Sequence, residues 1–287
     1  MTLSNMDMNR YSLIAMVAAL AASLAGCTTH NVGGASDGTA DATTIRLFNG
    51  KDLGNFYTFL EQHKYEDPLR VFSVVVADGA PAIRVSGEEF GGFVTLAEYE
   101  NYRLVVEFKW GTQTWGRRLN KAMDSGILLH CNGPDGNYAG FWMASVECQI
   151  IEGGCGDLLM LEGKDAAGQT IKSLLTVECE QSGKEYWYHP GAAAITRGEG
   201  RFNWYGRDQQ WQDVKGFRGQ RDVESPAGKW TRIEAICDGG KITNLVNGKV
   251  VNIGTGSSLR KGKILFQSEG AEIFYRRIEL TPLRSVR

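Results

Sequence analysis

An all-β domain built as an antiparallel β-sandwich is the fold that this sequence predicts from residue 43 onward. Short segments alternate apolar and polar side chains with the period of two that a half-buried strand shows, as residues 103–110 do. Glycine-rich or Asn-Gly turns separate many of these segments, and the chain holds 36 glycines. Helical periodicity over three turns is hard to find after the first 27 residues. Short strands at this density are typical of a single-domain sandwich.

The predicted strands follow one another along the whole domain. They are residues 72–76, 103–110, 127–130, 146–151, 174–178, 231–237, 242–246, 249–253, 264–267 and 272–280. The turns at residues 238–240 and 247–248 favour hairpins. Two polar and aromatic insertions, residues 111–122 and 185–226, interrupt the pattern. The aromatic content of the second argues against disorder, so we expect it to be functional.

The first 27 residues predict export. A short polar start ends in Arg10, an apolar run follows, and the run closes on Leu-Ala-Gly before Cys27. This resembles a bacterial lipoprotein signal, in which cleavage before Cys27 leaves that cysteine to carry the lipid. An ordinary secretory signal peptide cut nearby is the alternative. Thr28 after the cysteine favours the outer membrane over the inner one.

We therefore expect a lipid-anchored protein of the bacterial cell envelope, on the periplasmic or surface face. Residues 28–42 are Gly, Ser, Thr, Ala and Asp with almost nothing to bury, which predicts a flexible tether before the domain at residues 43–287. No later apolar run approaches the roughly 18 residues that span a bilayer. Contact with the membrane is expected through the N-terminal lipid alone.

The net charge and the cysteine spacing argue against a nucleic-acid partner and against a zinc site. The net charge is −2 and no basic stripe occurs, so a nucleic-acid partner is not expected. Beyond Cys27 the odd number of cysteines leaves at least one free thiol, and their spacing lacks the paired pattern of a zinc site. One or two disulfides and buried free thiols are both consistent with the sequence. These cysteines are Cys131, Cys148, Cys155, Cys179 and Cys237.

Residues 145–152 place two carboxylates and an amide along what the pattern predicts to be a buried strand. Glu147 and Gln149 share one face, whereas Glu152 has the opposite parity and joins them only if one residue bulges out. Ionisable groups are seldom buried in a strand for stability. We expect all three to face one cleft as catalytic residues. A surface ion pair for Glu147 and a turn position for Glu152 are the alternatives.

Five motifs, in a fixed order, resemble the 3-keto-disaccharide hydrolase domain family over residues 44–284. They are residues 47–53, 124–130, 146–150, 245–248 and 266–270. The resemblance implies a concanavalin-like jelly roll that holds its substrate on the concave face. It also implies action on glycosides whose sugar has been oxidised to a ketone at carbon 3. His130 stands where the family usually has Arg, and Glu269 where it usually has His, which leaves hydrolysis and elimination both open.

A ketone at carbon 3 acidifies the hydrogen on carbon 2, so the substituent on carbon 1 can leave by elimination. Such a site needs a base, a group that holds the enolate oxygen, and an acid for the leaving group. Glu147, Glu152 and His130 can supply base and acid. Gln149 or a divalent metal ion of unknown identity can hold the oxygen, and His130, Glu147 and Glu269 would be the metal ligands.

Substrate contacts are expected from aromatic rings and amides. Trp110, Trp142 and Trp204 suit stacking on sugar faces, because a rigid ring buries much area at low entropy cost. Asn132 and Gln267 can hydrogen-bond the sugar. Most tryptophans are nonetheless core residues. His189, in the second insertion, is expected to be a loop residue.

The predicted function is therefore an exported lipoprotein enzyme that cleaves 3-keto oligosaccharides or glycosides. A conventional endo-β-glucanase of the laminarinase type is one alternative, because the spacing of Glu147, Gln149 and Glu152 is similar to its catalytic motif. That motif has an acid in the middle position, so the amide of Gln149 weighs against retaining hydrolysis. A non-catalytic carbohydrate-binding module is the other alternative.

Overall fold

The computed structural model describes residues 43–283, which form two antiparallel β-sheets packed face to face with a small third sheet. The strands are β1 Ile45–Arg46, β2 Phe56–Leu60, β3 Phe72–Ala77, β4 Ala80–Val85, β5 Gly91–Thr95, β6 Tyr99–Glu100, β7 Tyr102–Thr114, β8 Asp124–Asn132, β9 Ala144–Ile151, β10 Leu158–Leu161, β11 Gly163–Lys164, β12 Thr170–Ile171, β13 Leu175–Ser182, β14 Glu185–Tyr188, β15 Ala194–Arg197, β16 Gly200–Phe202, β17 Thr231–Asp238, β18 Lys241–Val246, β19 Lys249–Thr255, β20 Lys261–Ser268 and β21 Ala271–Pro282. The single helical element of the described residues is a 3-10 turn, Gly116–Arg118.

The larger sheet has the strand order β14-β13-β19-β18-β17-β7-β21-β4-β3, with β1 beside β21 and β15 beside β13. The smaller sheet has the order β16-β10-β9-β8-β20-β5-β2, with β6 beside β20. Strands β11 and β12 form the small third sheet. The prediction of an all-β antiparallel sandwich is confirmed.

Each segment predicted as a strand coincides with a strand of the structure, except that the segment 174–178 was predicted to begin one residue before β13 does. The agreement is close because alternation of apolar and polar residues is a local signal. The hairpin between β18 and β19 turns on Asn247 and Gly248, both in the left-handed region with φ of 48° and 79°. A two-residue turn of this kind requires positive φ at both central positions, which Asn-Gly tolerates. The two insertions are less irregular than predicted. Strand β7 continues to Thr114, and β14, β15 and β16 all lie in the second insertion.

The main core fills the space between the two sheets. Strand β9 contributes Val146, Cys148 and Ile150 to it, whereas the larger sheet contributes side chains such as Val106 and Phe108. Fully burying an aliphatic or aromatic side chain of this size stabilises the fold by roughly 1.5–3 kcal/mol. A second apolar cluster lies on the opposite face of the smaller sheet, which we call the outer face. Its members are Val94, Leu128, Cys131, Phe141, Trp142, Met143, Leu161 and Leu265.

All five cysteines of the described domain are buried free thiols. Within residues 43–283, no helix is long and apolar enough to cross a bilayer. The predicted signal, the lipid-bearing Cys27 and the tether at residues 28–42 lie outside the described residues.

Candidate active site

Three neighbouring strands of the smaller sheet bring polar side chains together on its outer face. In the register of β8 against β9, Gly126 lies opposite Gln149 and Leu128 opposite Glu147. Strand β20 continues the sheet on the other side of β8, with Leu265 opposite Leu128. Because side chains alternate along each strand, six residues share this face. They are Asp124, Gly126, Glu147, Gln149, Gln267 and Glu269.

Gly126 allows two of these side chains to meet. A Cβ built on Gly126 would lie 2.3 Å from Oε1 of Glu147 and 2.3 Å from Oε1 of Gln267. Any side chain at this position would therefore displace both groups. We call Asp124, Glu147, Gln267 and Glu269, together with Gly126, the carboxylate cluster.

Four buried polar atoms of the cluster meet no hydrogen-bond partner among the described residues. They are Oε1 of Glu147, Oδ1 of Asp124 and both amide atoms of Gln267. Most buried polar atoms in folded proteins are hydrogen-bonded, and an unsatisfied one costs about 1–3 kcal/mol. A stable fold tolerates several such atoms on one face most readily where they serve a bound molecule.

Burial dominates the electrostatics of the cluster. Burial and, second to it, the neighbouring charge of Asp124 together raise the pKa of Glu147 to about 8. Burial raises the pKa of Asp124 to about 7 against the opposing effect of Arg118, whose Nη2 lies 3.4 Å from Oδ2 of Asp124. The pKa of Glu269 is well above its usual range because of burial and the charges of Asp124 and Glu147. Near neutral pH the cluster therefore offers both protonated and ionised carboxyl groups.

Half-buried side chains border the cluster. Leu159 of β10 lies directly opposite Glu147, and Arg201 of β16 lies opposite Leu159. The ring of Tyr138 lies nearly parallel to that of Trp142, with ring centroids 6.4 Å apart. The pKa of Tyr138 is raised by burial and by the charges of Glu147 and Glu269, so its hydroxyl stays protonated beside them.

Asp157 holds Arg201 beside the cluster. Its side chain is wholly buried, and its Oδ2 accepts a hydrogen bond of 3.0 Å from Nη1 of Arg201 and one from Arg207. The backbone N–H of Trp204 donates to Oδ1 at 2.7 Å. A buried carboxylate bound by two guanidinium groups in this way fixes the position of both.

Glu152 is not part of the cluster. The pairing of β8 with β9 is unbroken from Asp124 opposite Ile151 to Leu129 opposite Val146, so the bulge expected between Gln149 and Glu152 is absent. The carboxylate of Glu152 instead accepts backbone N–H groups of Met123 and Gly216, at 2.9 and 2.7 Å. Burial raises its pKa, and these two hydrogen bonds oppose the rise.

Gln149 lies on the outer face beside Gly126, as expected, but its amide oxygen accepts the backbone N–H of Ile150 at 3.0 Å. Gln267, and not Gln149, is the amide whose donor and acceptor are both unpaired. The structure therefore places a different amide where the oxygen-holding group was expected.

His130 lies on the other side of the sheet from Glu147. A bulge shifts the register between Leu129 and Asn132, and His130 itself has a φ of 56°. The imidazole therefore points between the two sheets, with its centroid 5.4 Å from the ring of Tyr102. Its Nδ1 lies 3.0 Å from the carbonyl oxygen of Leu259, and burial lowers its pKa to about 4. The structure does not bring this histidine to the carboxylate cluster.

The expected metal ligands are not brought together either. Within residues 43–283, no group of three or more His, Cys, Asp and Glu side chains is placed to hold a metal ion. His130 faces the core, whereas Glu147 and Glu269 share the outer face, so these three residues do not fit one ion. A metal requirement stays a prediction. Full turnover after exhaustive chelation would remove it from the scheme.

The expected substrate contacts divide between two regions. Gln267 and Trp142 lie on the outer face, where the Trp142 indole N–H donates to the carbonyl oxygen of Gly91 at 2.9 Å. Trp204 is only 1% exposed in the main core. Trp110 packs against that core, with its indole N–H 3.4 Å from Oε2 of Glu224.

Asn132 is the last residue of β8, and its side chain hydrogen-bonds the backbone. Its side-chain amide donates to the carbonyl oxygens of His130 and Lys261, at 2.9 and 2.8 Å. His189, expected to be a loop residue, follows β14 and forms an exposed pair with Glu180 at 2.6 Å. The structure therefore does not place Trp110, Trp204 or Asn132 at the cluster.

Four residues around Glu147 were not anticipated: Asp124, Arg118, Arg201 and Tyr138. Asp124 could have been predicted from the sequence, because it shares parity with Gly126 and is the first residue of one of the five motifs. Arg118 follows a strand extension within the first insertion, and Arg201 lies in the second, so only the three-dimensional pairing places them here.

Comparison with known proteins identifies the family of the chain. Residues 43–281 match the 3-keto-alpha-glucoside-1,2-lyase-like domain. The chain belongs to this family. The match confirms the resemblance inferred from the five motifs. It identifies residues 43–281 as a carbohydrate-acting domain. No curated protein matches the chain.

Several solved structures match this lyase-like domain at low sequence identity. A candidate glycosyl hydrolase from Parabacteroides distasonis is 18% identical, with 84% of this chain and 94% of that chain covered and a TM-score of 0.47. A second protein of the same description and organism is 20% identical, covering 84% and 100%, with a TM-score of 0.45. A β-glucanase from Bacillus licheniformis is 11% identical, covering 86% and 100%, with a TM-score of 0.41.

Proposed function

We propose that this protein is an exported lipoprotein enzyme that cleaves 3-keto-glycosides by removing the proton on carbon 2 and losing the substituent on carbon 1. The observation that carries the proposal is the meeting of unpaired oxygen atoms of Glu147 and Gln267 beside Gly126, with the unpaired Oδ1 of Asp124 on the same face of the sheet. Carboxyl groups with pKa values raised toward neutral pH suit proton transfer at that pH. Membership of the lyase-like family supports the choice of substrate.

In the proposed reaction, the ionised form of Glu147, which predominates above about pH 8, accepts the proton from carbon 2. The electrons of the broken C–H bond move onto the oxygen at carbon 3, where the amide N–H of Gln267 holds the enolate. As the carbonyl re-forms, a double bond forms between carbons 1 and 2 and the bond from carbon 1 to the leaving oxygen breaks. Protonated Glu269, at the half-buried edge of the cluster, gives the leaving oxygen its proton.

The products of this elimination are a free alcohol and a 3-keto sugar with a double bond between carbons 1 and 2. Addition of water across that double bond would give the hydrolysis outcome instead. Arg201 lies near enough to lower the pKa of Glu147, so it limits the cost of ionising that carboxyl group, whereas Arg118 and Arg201 both lower the pKa of Glu269. The paired rings of Tyr138 and Trp142 offer a surface for the sugar.

The placement of Glu152 weighs against a conventional retaining glucanase. Such an enzyme needs a nucleophile and an acid with carboxyl groups about 5–5.5 Å apart, both facing the substrate. The carboxylate of Glu152 is already held by the backbone N–H groups of Met123 and Gly216. Glu147 therefore lacks the partner that the laminarinase-type motif would supply.

The proposal is tested by incubating the full-length chain with a 3-keto-glycoside and, separately, with its unoxidised parent. We expect turnover of the 3-keto compound only, and deuterium at carbon 2 of substrate recovered from heavy water. Equal turnover of both compounds would point to conventional hydrolysis and overturn the proposal. Binding without turnover of either compound would identify a carbohydrate-binding module.

The envelope location rests on the sequence of the first 27 residues and is tested separately. Radiolabelled fatty acid should enter the wild-type chain, and Cys27→Ser should remove both the label and the membrane association. Release of an unlabelled, soluble wild-type chain would show an ordinary secretory signal instead.

A further inference from the structure

A cavity of about 940 Å³ lies at the edge of the sandwich, in the second insertion. Trp187 of β14 pairs there with Asn203, which follows β16, so edge strands of the two sheets lie side by side. None of the residues of the carboxylate cluster lines this cavity. Arg207 lines it, and the guanidinium of Arg207 binds the buried Asp157. The cavity is therefore distinct from the site around Glu147.

Partly exposed aromatic and aliphatic side chains line part of this cavity. Tyr205 is 42% exposed and Val250 is 41% exposed, and Trp187 is half-buried beside them. Exposed apolar side chains grouped at one place on a soluble domain mark a binding site more often than scattered ones do. Aromatic rings next to polar groups suit the C–H faces and hydroxyl edges of a sugar.

The polar groups of the cavity balance one another in charge. Arg207 binds the buried Asp157 and Glu180 lies 2.6 Å from Nδ1 of His189, which leaves Asp208 and Arg221 as one carboxylate and one guanidinium group. The side-chain amides nearby, such as that of Gln220, both donate and accept hydrogen bonds. A lining of this kind selects a neutral ligand with many hydroxyl groups over an anion or a cation.

The walls of the cavity are preformed. Asp208 accepts the backbone N–H of Gln210 at 2.9 Å and that of Gln220 at 3.3 Å, which ties two loops together. The guanidinium of Arg207 stacks on the ring of Trp211 at 4.5 Å. Small-molecule sites have volumes of roughly 300–1,000 Å³, so this cavity has room for more than one sugar ring.

The geometry points to a second carbohydrate-binding site in this cavity, which takes a neutral oligosaccharide independently of the carboxylate cluster. Such a site would hold a glycan chain near the enzyme without taking part in its cleavage. It goes beyond the proposed reaction and does not depend on it.

Calorimetric titration of the full-length chain with maltotriose, cellotriose and laminaritriose tests the site. These unoxidised sugars are not substrates of the proposed reaction. We expect at least one to bind, and Trp187→Ala and Tyr205→Ala each to weaken that binding at least about tenfold. The matched control is Trp230→Ala. Its ring packs under Arg276, away from the cavity, so the affinity should stay within about twofold of wild type.

Two further variants separate this inference from the proposed reaction. Val250→Arg adds bulk at an exposed position of the cavity, so it should weaken the binding without removing core packing. Glu147→Gln should leave trisaccharide affinity unchanged while it stops turnover of a 3-keto-glycoside. The inference is overturned if no trisaccharide binds at about 10 millimolar, or if binding survives Val250→Arg and Trp187→Ala but not Glu147→Gln.

Discussion

Glu147 and Glu152 are both buried and come from the same stretch of chain, yet their surroundings differ. The carboxylate of Glu152 accepts two backbone N–H groups from separate loops. Glu147 lies within β9, and its Oε1 meets no partner among the described residues. A satisfied buried carboxylate ties a structure together, whereas an unsatisfied one costs stability. The comparison separates a residue that holds the fold from one that is available for chemistry.

The largest expected effect is on catalysis at Glu147. Glu147→Gln should lower kcat for a 3-keto-glycoside by about 10²–10⁴, because the amide cannot accept the proton from carbon 2. Its unfolding free energy should stay equal or rise, since the variant no longer buries an ionisable group with an unpaired oxygen. Steady-state kinetics and denaturant unfolding measure both. If Glu152→Gln lowered kcat as much as Glu147→Gln, the distinction between a catalytic Glu147 and a structural Glu152 would be wrong.

Gly126→Ala should produce the next largest effect. The added methyl group would push apart Glu147 and Gln267, so we expect kcat to fall by about 10² with an overpacking cost of about 1–3 kcal/mol. Ile127→Val on the inner face is the matched control, because it costs about 0.5–1.5 kcal/mol without entering the site. A loss of activity in Ile127→Val as large as that in Gly126→Ala would show that general destabilisation causes it.

Glu152→Ala should affect the fold more than the chemistry. The change leaves the backbone N–H groups of Met123 and Gly216 without their acceptor, and we expect the free energy of unfolding to fall by about 1–3 kcal/mol. Amide hydrogen exchange should quicken at Gly216. Unchanged stability combined with lost turnover would instead place Glu152 in the catalytic step.

A further effect is expected on the pH dependence of stability. The pKa of Glu147 rises from 4.5 to about 8 on folding, so the folded state holds this proton more tightly than the unfolded state. The stability associated with that proton is fully present below pH 4.5 and is lost as the pH rises through about 8. Glu147→Gln should flatten this part of the curve of unfolding free energy against pH. An identical slope in both proteins would count against the raised pKa.

The strands that the sequence predicted are found in the structure because their signals are local. Residues 231–246 contain an apolar alternation and a glycine turn, and they fold as the hairpin of β17 and β18. The family followed from the five motifs. The shared face of Glu147 and Gln149 followed from the alternation of side chains along the strand. Parity holds while a strand stays regular, as β9 does over its whole length.

Bulges and long-range pairing limited the prediction of the site. Parity along β8 placed His130 beside Leu128, but the bulge after Leu129 turned it into the core. The bulge expected before Glu152 is absent, so that carboxylate stayed off the outer face. Arg201 reaches the cluster only because β16 pairs with β10. No pattern in a single segment encodes such a contact.

Burial of its five free thiols makes the folded domain unreactive toward oxidants and thiol reagents, which is unusual for a chain predicted to leave the cytoplasm. Burial raises the pKa of Cys148 and of Cys131, so almost no thiolate exists for oxidants or alkylating reagents to attack. Labelling by a thiol-reactive dye would then proceed only as fast as the core opens. The cysteines thereby act as built-in reporters of unfolding, and a reducing agent should leave the melting temperature unchanged.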